Sequence, residues 1–105
     1  MDPAERPWLT RAFRALSDPL ARDVLEAIRS EPGVTVSGLC DAFPVSRFTI
    51  MRELNALEDA DLVRRERDGR TKQLFVEGRS FARLADGWLR RMADDEPAPK
   101  NPKEA

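Results

Sequence analysis

An Asp-Gly step, Asp68-Gly69, separates two short segments, 62–67 and 70–76, that read as β-strands. A two-residue type I′ turn needs positive φ at both central positions, and Asp-Gly is one of the few pairs that accept it. The step therefore predicts a hairpin. The remaining apolar positions recur at helical spacing, so this is one hairpin set among helices rather than an all-β chain.

The helices are bounded by their punctuation. Trp8, Leu9, Ala12, Phe13 and Leu16 share one stripe. Ser17-Asp18-Pro19 ends that helix and opens a second: Asp18 is a good N-cap, and Pro19 suits the first helical position, where a missing N–H costs nothing. Leu20, Val24, Leu25 and Ile28 form the second buried face, and Glu31-Pro32-Gly33 is a turn. Thr35 caps a third helix with Val36, Leu39, Cys40 and Phe43 inward; Gly38 at its third position leaves the reciprocal capping box incomplete. Pro44-Val45 breaks the chain and Ser46 caps a fourth helix. The last helix, 80–92, carries Phe81, Leu84, Ala85, Trp88, Leu89 and Met92. The expected class is α+β, mostly helical, in the order α-α-α-α-β-β-α. The third and fourth helices, joined by Phe43-Pro44-Val45-Ser46, are a helix-turn-helix candidate. A hairpin directly after such a pair is the wing of a winged helix.

The fourth helix has two unlike faces. With Ile50 as origin and about 100° per residue, Leu54 and Leu57 fall within about 40° of it. Phe48, Arg52, Asn55 and Asp59 fall near the opposite side, Thr49 and Met51 flank, and Arg47 lies in the first turn. Arg pairs with guanine O6/N7, Asn with adenine N6/N7, and an apolar side chain meets the thymine methyl. Ordinary solvated residues would look the same for Arg52 and Asn55. Phe48 has no such solvent rationale, although it could fold back onto Val45 or a second subunit.

Charge tests this reading. Lys+Arg is 18 and Asp+Glu is 19, a net charge of −1, which as a whole speaks against nucleic acid. The total sums unlike parts. Residues 94–105, DDEPAPKNPKEA, hold four acids and two bases with three prolines and read as a disordered tail. Residues 61–91 hold nine bases against five acids, a net of +4. Among them Arg64, Arg65, Arg67, Arg70 and Lys72 surround the turn. Charge on an edge also protects a hairpin from aggregation, but five bases beside a helix-turn-helix favour phosphate or minor-groove contact.

At 105 residues the chain is one small domain, expected over 1–93 with the tail at 94–105. No run approaches the roughly 18 apolar residues of a membrane helix, and MDPAERPWLT lacks the basic start and apolar run of a signal peptide. One cysteine, Cys40, makes no internal disulfide and fits a cytoplasmic location. Cys40 lies on the inner face of its helix and reads as a small core residue rather than a redox thiol. With no histidine and one cysteine the usual zinc sets are absent. No nucleophile–base pair or phosphate loop is visible, so no enzyme, metal site or cofactor is expected. Four of the seven aromatic residues, Trp8, Phe13, Phe81 and Trp88, lie in the first and last helices. Either they seal the core, or those helices also meet a twofold mate, with Trp8, Leu9, Phe13, Phe81, Leu84, Trp88 and Leu89 as the expected interface.

From about Phe13 to Met92 the chain resembles the ArsR-type winged-helix repressors. Ala15-Leu16-Ser17-Asp18-Pro19 with Ala21-Arg22 resembles the motif "ALADPTR", and Val36-Ser37-Gly38-Leu39 resembles "VSEL". Residues 46–54, SRFTIMREL, resemble the recognition helix "SQSTVSRHL". Residues 57–63, LEDADLV, resemble "LREAGLV", and Asp68-Gly69-Arg70 resembles the "EGR" wing tip. The resemblance implies that Arg47, Phe48, Met51 and Arg52 face the bases. Phe48 and Met51 stand where small polar residues are usual, which implies a different operator preference. It also implies where metal-sensing members carry Cys-x-Cys; here those positions are Thr35 and Ser37. Asp86 is the sole carboxylate of the last helix, so the likeness is to the subgroup without metal sites.

The expected function is a homodimeric, sequence-specific DNA-binding transcriptional regulator, a repressor on an inverted repeat. Helix 46–60 would enter the major groove and wing 64–72 would lie on the backbone or minor groove. The expected contacts are Ser46, Arg47, Phe48, Thr49, Met51, Arg52, Asn55, Arg65, Arg67, Arg70 and Lys72. The partners are double-stranded DNA and a second copy, with no membrane; the residues identify no inducer or partner protein. The alternative is a winged-helix protein-interaction module without DNA binding.

Overall fold

A computed structural model describes residue 3 and residues 5–94. Helices α1 (Glu5–Ser17) and α2 (Pro19–Ser30) precede a short strand β1 (Val34–Thr35), and α3 (Val36–Asp41) leads to α4 (Arg47–Asp59). Strands β2 (Val63–Asp68) and β3 (Thr71–Val76) follow. The chain then enters α5 (Gly78–Leu84), a wide π-helical turn (Ala85–Leu89) and α6 (Arg90–Asp94).

The caps fall where their chemistry places them. Asp18 Oδ1 accepts from Leu20 N at 2.9 Å, Thr35 Oγ1 from Gly38 N at 3.0 Å, and Ser46 Oγ from Thr49 N at 3.1 Å. Each satisfies an amide that has no partner inside its own helix. The core is built from Trp8, Leu9, Ala12 and Ala15 of α1, Val24 and Ile28 of α2, and Ile50, Leu54 and Leu57 of α4. Leu39, Leu62, Leu74 and Leu84 close it. Trp8 Nε1 donates to the Ala60 carbonyl at 2.8 Å, so the indole is buried with its polar atom paired and pins α1 to the end of α4.

The end of α4 forms a Schellman turn. Leu62 N donates to Leu57 O and Asp61 N to Glu58 O, both at 2.9 Å, and Leu57 and Leu62 are fully buried together. The geometry requires a left-handed residue, and Asp61 supplies it at φ 58°. The carbonyl of Asp61 in turn accepts from Ser80 Oγ, which ties α5 to this turn.

Three features differ from the expected order. First, the sheet has three antiparallel strands in the order β1-β3-β2, because Val34–Thr35 pairs with Leu74 and Gln73. Two residues carry too little pattern to read as a strand; the pairing exists because Gly33, at φ 89°, turns the chain onto β3 and donates to Leu74 O at 2.8 Å. Second, the hairpin turn lies one residue later than expected. Asp68 pairs with Thr71, so the two turn residues are Gly69 and Arg70. Gly69 alone has positive φ, 62°, which fits a type II′ turn with glycine first rather than type I′ over Asp68-Gly69. Third, the last helix is broken at Gly87, whose φ −94° and ψ −112° lie outside helical space. The apolar spacing there survives a local widening, so periodicity could not reveal it. Asp94, expected in the tail, ends α6, and the rest of the expected tail lies outside the described residues.

Candidate nucleic-acid interface

Helix α4 presents its polar side outward. Ile50, Leu54 and Leu57 are fully buried, Arg47, Arg52 and Asn55 are exposed, and Phe48 is 75% exposed. Thr49 and Met51 are half-buried flanks, as the 100° spacing requires. The Ser46 and Thr49 hydroxyls lie 2.9 Å apart, so the first turn is closed on itself.

The wing sorts its charges by pleat. Directly opposed residues share a face of the sheet. Arg67 opposes Lys72 and Arg65 opposes Leu74, so Arg65, Arg67 and Lys72 project from the face that carries the core residues Val63 and Leu74. Arg64, Glu66 and Asp68 occupy the other face. There Arg64 Nε bonds Glu66 at 2.9 Å and its guanidinium lies 4.9 Å from the centre of the Phe75 ring. The acids of the segment are thus separated from most of its bases.

The two elements meet in a cleft of about 260 Å³ lined by Thr35, Val36, Ser37, Arg47, Met51, Arg65, Arg70 and Lys72. The fold brings four expected basic residues from α4 and the wing to one place. Phe48, Arg52 and Asn55 stand on the exposed side of α4 outside the cleft lining, and Arg67 is exposed further along the wing. Arg65 is engaged differently from the others. Its guanidinium is ion-paired with Glu58 of α4, and the two side chains are only 20% and 26% exposed. Sequence reasoning missed Glu58 as a partner because the pair joins two elements seven residues apart around a reverse turn.

A second acid was also missed. Glu53 is buried, 6% exposed, on the inner flank of α4. Burial, then the Asp18 carboxyl beside it, pushes its pKa above the ordinary carboxylate range, with Arg52 opposing. The signal existed: Glu53 lies only about 60° from Ile50 on the helical wheel.

Residues expected at a dimer face divide into two groups. Trp8, Leu9 and Leu84 are buried within the single chain. Phe13 is 37% exposed and Leu89 45%, while Phe81 and Trp88 are half-buried; Met92, outside the expected set, is 47% exposed on the same C-terminal segment. The Phe13 and Trp88 rings meet edge to face with centres 5.7 Å apart. Among the described residues no three His, Cys, Asp or Glu side chains group to hold a metal, and Cys40 is half-buried against the core.

The helix-turn-helix domain family matches residues 16–66. A solved ArsR family transcriptional regulator is 27% identical, with a TM-score of 0.75 over 89% of this chain and 96% of that one. An ArsR-like transcriptional regulator from Rhodococcus sp. RHA1 is 28% identical, with a TM-score of 0.68 over 89% and 93%. The chain has the winged helix-turn-helix fold and is similar to ArsR-type regulators. Within this ArsR-type fold α3 and α4 are the helix-turn-helix and β2–β3 the wing. The homodimeric winged helix-turn-helix DNA-binding domain of a possible ArsR-family regulator from Mycobacterium bovis shares the fold, at 24% identity and a TM-score of 0.67 over 89% and 83%. No curated protein matches significantly.

Proposed function

We propose that this chain is a sequence-specific, DNA-binding transcriptional regulator that acts as a homodimeric repressor. The observation that carries the reading is the convergence of Arg47, Arg70 and Lys72 on one cleft beside the outward face of α4. Arg52, Asn55 and Phe48 would read base edges in the major groove, with Ser46, Thr49 and Met51 at the flank. Arg67, Arg70 and Lys72 would hold phosphates. Arg65 supports the wing through Glu58 instead of meeting DNA. Two copies joined through Phe13, Trp88, Leu89 and Met92 would set the two α4 helices about 34 Å apart, one turn of duplex. Residues 1–93 form the binding unit, and the protein works in the cytoplasm as a binder, not a catalyst.

A protein-interaction module is the second reading, favoured by the net charge of −1 and the exposed Phe48. Fluorescence anisotropy on duplex DNA over a salt series separates them. The regulator reading expects affinity that falls steeply as salt rises. Absence of binding at low salt, or binding indifferent to salt, refutes it.

A further inference from the structure

Among the described residues the large hydrophobic side chains left exposed are Phe13, Val45, Phe48, Leu89 and Met92. Three of these belong to α1 and the C-terminal helical segment, where a second copy is expected. Val45 and Phe48 remain, at the N-terminal end of α4, and at 75% Phe48 is the most exposed of the five. An aromatic ring held in water on a helix forgoes burial of some 150–250 Å². Among the described residues nothing covers it. The closed hydroxyl pair of Ser46 and Thr49 holds the turn that carries it, and exposed Arg47 and Arg52 flank it.

The chemistry of that position selects a ligand. A phenyl ring makes no hydrogen bond to a base edge, and the thymine C5-methyl is the apolar feature of the major groove. We propose that Phe48, with Val45 beside it, is a methyl-reading residue. It packs on the C5-methyl of one thymine in each operator half-site, and it accepts 5-methylcytosine in the same place. The inference rests on the DNA-binding reading and specifies its base preference.

The test starts from a duplex selected by the full chain from random DNA, with each thymine then replaced singly by uracil, which removes the methyl alone. One position per half-site should lose about three- to tenfold in affinity, as expected for one buried methyl. Phe48→Ser should bind the thymine and uracil duplexes alike. Phe48→Leu, which keeps apolar bulk, should retain the discrimination, and so should Arg70→Ala despite weaker binding overall. A 5-methylcytosine–guanine pair at that position should bind the parent protein more tightly than the unmethylated pair. Uracil duplexes bound as well as the parent duplex, or discrimination that persists in Phe48→Ser, overturn the inference while leaving DNA binding intact. Failure of the parent protein to select any duplex overturns the DNA-binding reading and the inference together.

Discussion

The guanidinium of Arg65 on β2 is ion-paired with the carboxylate of Glu58 on α4, with both side chains mostly sheltered from solvent. The contact ties the wing to α4. Removing one partner of a sheltered pair leaves the other uncompensated. Arg65→Ala should therefore lower unfolding free energy by about 1 kcal/mol, read from urea denaturation. Arg70→Ala at the exposed turn should leave stability unchanged. It should weaken binding to all duplexes alike and reduce the salt slope by about one per protomer. Equal salt slopes for Arg70→Ala and the parent would remove Arg70 from the interface.

Arg52 is exposed on the outward side of α4, and its ion pair to Glu53, at 3.6 Å, is one-sided and loose. Arg52→Ala should cost about 1–3 kcal/mol on the preferred duplex and relax preference at one base pair, as for a lost bidentate contact. Selection of bound sequences by both proteins checks this: identical consensus sequences would show that Arg52 reads no base.

Asp61 holds a left-handed conformation, φ 58°, at the position where the Schellman turn favours glycine. Asp61→Gly should raise stability by about 1 kcal/mol, because the backbone strain is relieved while the carbonyl that accepts from Ser80 Oγ remains. A lower urea midpoint in Asp61→Gly would mean that the Asp61 side chain contributes more than its backbone strain costs.

Glu53 titrates above the ordinary carboxylate range because burial and Asp18 disfavour its charge. The folded state thus holds the proton more tightly than the unfolded chain. The stability tied to that proton is present at low pH and is lost as pH rises through the folded pKa. The groups around it are Asp18, Arg52 and, across the neighbouring cleft, Arg11, Arg14 and Asp59. Glu53→Gln, which stays neutral, should gain stability over the parent near pH 7, and the gain should shrink toward about pH 4. Urea midpoints at the two pH values measure it; a constant difference would place the titration elsewhere.

Leu89 is 45% exposed beside the Phe13–Trp88 ring pair. Leu89→Asp should move the sedimentation profile from dimer to monomer with little change in helical content, because the side chain adds little to the single-chain core. An unchanged dimer would place the interface on another face.

Much of the architecture could be read from residue order. Asp18-Pro19, Thr35 and Ser46 mark three helix starts because capping depends on the chemistry of one side chain and the amides next to it. The two faces of α4 follow from 3.6-residue periodicity, and the exposed Phe48 sits where the wheel puts it. These are local properties, and a sequence states them directly. The motifs that resemble ArsR-type repressors add order and spacing to the same residues.

Contacts between elements distant in sequence were settled by the tertiary structure alone. Strand β1 exists because β3 offers it an edge, not because Val34 and Thr35 carry a strand pattern. Trp8 is buried in the core of the single chain, where Ala60, 52 residues away, accepts its indole N–H. Arg65 and Arg70 are alike in the sequence, yet the pleat turns the first toward Glu58 while the second stands exposed at the turn. A one-residue change of register exchanges the faces of a strand, so which arginine is structural and which is free depends on pairing. A net charge of −1 belongs to the sequence; the separation of most of the wing's bases from its acids belongs to the fold.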